Sequence, residues 1–93
     1  MSRMVDPSSK ALRLVEAFLS DQGQIPPCTS RQREAAVTAL CTLADQTWLG
    51  QPLNDAMGVA QTTYRAQTGA DAPAWLEWLL AAFSMSLEQQ ASR

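Results

Sequence analysis

Ala74–Leu87 reads AWLEWLLAAFSMSL and holds two of the chain's three tryptophans but only one charge, Glu77. Wound at 3.6 residues per turn, it acquires two apolar faces. The broader face carries Trp75, Leu76, Leu79, Leu80, Phe83 and Leu87, and the second carries Trp78, Ala81, Ala82 and Met85. Between them runs a thin polar strip of Glu77, Ser84 and Glu88, spaced i, i+7, i+11. A helix wetted along one strip must be covered on its other sides, by further helices of the chain or by a second chain. This segment therefore predicts an all-α fold.

Working outward, Asp71-Ala72-Pro73 starts that helix, with Asp71 as N-cap or Pro73 in the first turn, and the span reads as 72–89. Upstream, Leu53, Ala56, Met57, Ala60 and Tyr64 keep helical spacing over 53–68, with Asn54 or Gln51 as cap and Gly69 as stop. Gly58 weakens this helix, and its other side is nearly uncharged. A second helix covers 30–49: Thr29 with Gln32 fits a capping box, Val37, Leu40, Cys41, Ala44 and Trp48 form its stripe, and Gly50 with Pro52 stops it. The first covers 7–19, capped by Asp6 with Pro7 at the first position, with Ala11, Leu14, Val15 and Phe18 inward. Gly23 closes it, Pro26-Pro27 break the chain, and Ile25 is expected to pin the connection to the core. No segment alternates as a strand does. The expectation is a single-domain, compact four-helix bundle over 1–93, with 1–5 and 90–93 flexible.

Composition narrows the function classes. A net charge of −2, from seven basic and nine acidic residues, argues against a polyanion as principal partner. Two cysteines, Cys28 and Cys41, are too few for a disulfide framework or a zinc site. Cys41 lies on an apolar face as a small buried hydrophobe, whereas Cys28 lies in a loop. No apolar core follows Arg3, as a signal peptide requires, and Trp75–Phe83 is too short to cross a bilayer. The expected setting is the cytoplasm. Six arginines to one lysine, with abundant alanine, suggest a GC-rich bacterial or phage gene.

Catalytic chemistry is hard to assemble from this chain. It has no histidine, its nine acids are dispersed, and neither cysteine has an evident activating base. The four glycines are isolated, so no phosphate-binding loop is present. The expectation is no enzyme, no cofactor and no metal.

Two binding readings remain. The second face of the last helix, Trp78, Ala81, Ala82 and Met85, has the large–small–large character of a helix–helix contact, unless another helix of the same chain covers it. Arg31 and Arg33 occupy the first turn of the second helix, where the dipole disfavours cations; they either grip an anion or pair with nearby acids such as Glu34. Together these residues predict a small non-enzymatic protein-binding module acting as a homodimer: an inhibitor, an adaptor, an immunity or antitoxin-like protein, or a phage-borne blocker of a host complex. The alternative is a helix-turn-helix-like DNA-binding transcriptional regulator reading bases with Gln61, Thr62, Thr63 and Arg65. A single cation on that helix leaves few phosphate contacts for it.

Overall fold

The structure, a computed structural model, describes residues 7–21 and 25–91. These form four helices: α1 (Pro7–Asp21), α2 (Ser30–Trp48), α3 (Leu53–Thr68) and α4 (Ala74–Ala91). Among the described residues there is no strand. The Cα radius of gyration of 12.7 Å is close to the ~12 Å expected of a compact domain of this length. The all-α four-helix reading is therefore correct, with boundaries shifted by about two residues at most. The expected Asp6 cap and Gly23 stop lie outside the described residues.

The hub of the fold is α2, not α4. It packs against all three other helices, most extensively against α3. Its buried surface is rich in small side chains, Ala35, Ala36, Ala39 and Ala44 beside Leu40 and Leu43, and α3 answers with Ala56, Ala60 and Tyr64. Alanines let two helix backbones approach closely, because the interaxial distance follows the size of the contacting side chains. The bulk of the core comes from α4: Leu76, Leu79, Leu80, Phe83 and Leu87 are all buried. Ala11, Val15 and Phe18 of α1 complete it, and Ile25 packs against it as expected.

The helix ends follow from local chemistry. Thr29 and Gln32 form the complete capping box: the Gln32 N–H donates to Thr29 Oγ1 at 3.1 Å and the Thr29 N–H donates to Gln32 Oε1 at 3.0 Å. At the far end of α2, Gly50 adopts φ +91°. Its N–H donates to the Thr47 carbonyl and that of Gln51 to the Gln46 carbonyl, the paired bonds of a Schellman stop. Gly69 ends α3 at φ +77° with its N–H on the Arg65 carbonyl at 2.7 Å.

Three local expectations change. Neither Asn54 nor Gln51 caps α3; the helix starts on Pro52, whose carbonyl accepts the Ala56 N–H, and Asn54 falls inside the first turn. Asp71 does not cap α4: the Pro73 carbonyl accepts the Leu76 and Glu77 N–H groups, while Asp71 faces Arg65 at 3.6 Å. Ser84 is buried rather than on the polar strip, its hydroxyl donating to the Ala81 carbonyl at 2.7 Å. A serine that satisfies its hydroxyl on its own helix enters a core at little cost.

Candidate protein-binding surface

With Ser84 turned inward, the solvent side of α4 is apolar in an unexpected degree. Trp78 is 59% exposed and Met85 60% exposed, with Ala81 exposed between them. Their spacing, i, i+3, i+7, places them on one stripe. Ala82 stands half-buried at its edge, packed against the core. Glu77 and Glu88 are exposed beside the stripe. The same helix thus buries Leu76, Leu79, Leu80 and Phe83 on one side and holds two large apolar side chains in water on the other. Among the described residues, no other helix covers Trp78 and Met85.

Arg31 and Arg33 are both exposed, and Glu34 does not engage them. Among the described residues the ion pair formed is Arg65–Asp71, exposed on both sides and of the kind that contributes little to stability. Arg31 lies within the capping-box turn, whose Ser30 and Arg31 N–H groups the Thr29 side chain does not reach. Of the six expected binding residues, Arg31 and Arg33 open α2, whereas Trp78, Ala81, Ala82 and Met85 belong to α4.

A second apolar area, which periodicity hid, lies where α1 meets the end of α2. Trp48, expected on the buried stripe of α2, is 40% exposed, and Leu49 beside it is 75% exposed. Lys10 Nζ stands 4.8 Å from the Trp48 ring centroid, a cation–π distance. Lys10, Arg13, Leu14, Ala17 and Trp48 line an open hollow of about 370 Å³. Its lining combines apolar side chains with two cations. The sequence signal was the Lys10–Arg13 pair beside an apolar face.

One flank of α3 is polar, whereas the other carries exposed Val59 and Ala66. Gly58, Gln61, Thr62, Arg65, Asp71 and Glu77 border a groove of about 410 Å³. Gln61 is half-buried, Thr63 Oγ1 donates to the Val59 carbonyl at 2.9 Å, and the Arg65 guanidinium is shared with Asp71. For nucleic acid, this leaves Thr62 outward and one partly neutralised cation.

Cys28 and Cys41 are both free thiols. Cys41 is half-buried rather than fully buried, and desolvation, followed by the nearby Asp45 and Glu16 carboxylates, raises its thiol pKa from 9.0 to about 11. Such a thiol is protonated at neutral pH and is a poor nucleophile. Among the described residues no three Cys, Asp or Glu side chains gather as metal ligands do, and no helix is long and apolar enough to cross a membrane. No protein-family model, curated protein or solved structure matches the chain.

Proposed function

We propose that the chain is a non-enzymatic protein-binding module that associates through the outer stripe of α4 and works as a homodimer. The observation that supports this reading is the exposure of Trp78 and Met85 on one side of a helix whose other side is fully buried. Contiguous exposed apolar side chains on a small domain mark contact surfaces, and tryptophan is the residue type most enriched among the dominant contributors to binding. A module of this kind acts by occupying a surface, as inhibitors, adaptors and immunity proteins do. Sedimentation velocity across a concentration series tests it. Self-association is expected, and Trp78→Asp should abolish it while leaving the helical circular dichroism unchanged, because Trp78 carries little of the core. Association indifferent to that substitution would end the proposal.

A further inference from the structure

The α4 stripe and the hollow between α1 and α2 carry opposite charge beside apolar surface. On α4, Trp78 projects from the surface with the exposed carboxylate of Glu77 next to it, and residues 74–91 contain no lysine or arginine. At the molecule's other apolar area, the 370 Å³ hollow is lined by Leu14, Ala17 and the Trp48 indole together with the cations Lys10 and Arg13, Lys10 standing over the Trp48 ring. Glu16 lies on the next turn of α1 and is exposed. The hollow has room for one large aromatic side chain, and its cations would stack on an indole while meeting a carboxylate beside it. A symmetric α4-on-α4 pairing offers none of this. It would bring two copies of Glu77 toward one seam with no basic residue on either helix, the nearby Arg65 of α3 being shared with Asp71.

Resting on the reading of α4 as a contact surface, we infer that the occupant of the stripe is a second copy of this chain, with Trp78 of one copy seated in the Lys10–Arg13–Trp48 hollow of the other. In the closed dimer the contact is made twice, Trp78 of each copy meeting the hollow of the other; two different surfaces meet, so removing either one from both copies disables self-association, and the two defects are complementary.

Two variants test the contact. Trp78→Asp lacks the projecting indole and keeps the hollow; Lys10→Glu/Arg13→Glu lacks the two cations and keeps the indole. All three positions are solvent-facing, and circular dichroism verifies that both variants fold. Each variant alone should self-associate at least about tenfold more weakly than the native chain. Mixed, they should form a one-to-one heterodimer, because one intact indole still meets one intact hollow. Adding Glu77→Lys to the Lys10→Glu/Arg13→Glu chain should restore its self-association. If Trp78→Asp disrupts association while Lys10→Glu/Arg13→Glu does not, or if the mixture stays monomeric, the hollow is not the receiving surface and α4 docks elsewhere. If Trp78→Asp leaves association intact, or the native chain is monomeric up to about 1 mM, this contact is overturned. Intact association of Trp78→Asp removes the α4 surface with it.

Discussion

Phe18 of α1 and Phe83 of α4 meet ring to ring, with centroids 5.0 Å apart and planes inclined by 51°. The tilted arrangement sets the positive edge of one ring toward the negative face of the other. It ties the first helix to the last directly, where α2 otherwise mediates between them. Phe83 is fully buried, so Phe83→Ala removes both the aromatic pair and a large piece of core. The expected loss is about 3–5 kcal/mol, a large share of the stability of a domain this small. Urea denaturation should show a strongly lowered midpoint, or an unfolded chain, for Phe83→Ala. Phe83→Leu should fall between it and the native chain.

The capping box of α2 gives a smaller and cleaner test. Thr29→Ala deletes the hydroxyl that accepts the Gln32 N–H, while the reciprocal bond, from the backbone N–H of residue 29 to Gln32 Oε1, keeps both its atoms. A loss of about 1 kcal/mol is expected, with the urea m-value unchanged. Thr29→Ser keeps the oxygen and should recover most of it. Equal effects of the two substitutions would mean that the cap contributes through packing of the threonine methyl rather than through the hydrogen bonds.

The helices were legible because their ends are written locally: Thr29 and Gln32, Gly50, Gly69 and Pro73 each act within a few residues of themselves. Which flank of α4 meets water was only partly legible. At 100° per residue Ser84 falls near Glu77 and Glu88, and only the packed structure reveals that its hydroxyl is satisfied by the Ala81 carbonyl. Trp48 shows the converse. Its spacing matches Leu40, Cys41 and Ala44, but it sits in the last turn of α2, where the indole lies partly in solvent beneath Lys10. That position created the hollow, and a periodic pattern carries no information about where a neighbouring helix stops covering. The α4 stripe itself was legible as residues, Trp78, Ala81, Ala82 and Met85, but not as an exposed surface, since that depends on how three other helices divide the cover.

Gly58 and Gly69 should respond oppositely to alanine. Gly58 lies inside α3, and a Cβ added there meets nothing within 4 Å, so Gly58→Ala should stabilise by roughly 0.5–1 kcal/mol. Gly69 also has open space, but its φ of +77° is one that a side chain disfavours. Gly69→Ala should destabilise by about 1–2 kcal/mol. Thermal denaturation of the two variants should move in opposite directions. If Gly58→Ala lowers the midpoint, α3 is distorted there in solution or its open face is occupied.

The two thiols should separate by rate and by pH. At about pH 8 a disulfide reagent is expected to modify exposed Cys28 promptly, while Cys41, with its thiol held protonated by burial and by Asp45 and Glu16, should react far more slowly until the chain is unfolded. The same shift has a consequence for stability. Folding raises the Cys41 pKa from 9.0 to about 11, so below pH 9 both states keep the proton and Cys41 contributes no pH dependence. Between about 9 and 11 the unfolded chain loses its proton first, the folded state binds more protons, and stability falls as pH rises. Comparing the native chain with Cys41→Ala isolates the contribution of this thiol. The native chain should lose more stability than the variant between about pH 8 and pH 10.5, and parallel losses would show that Cys41 is as solvated in the folded protein as in the unfolded chain.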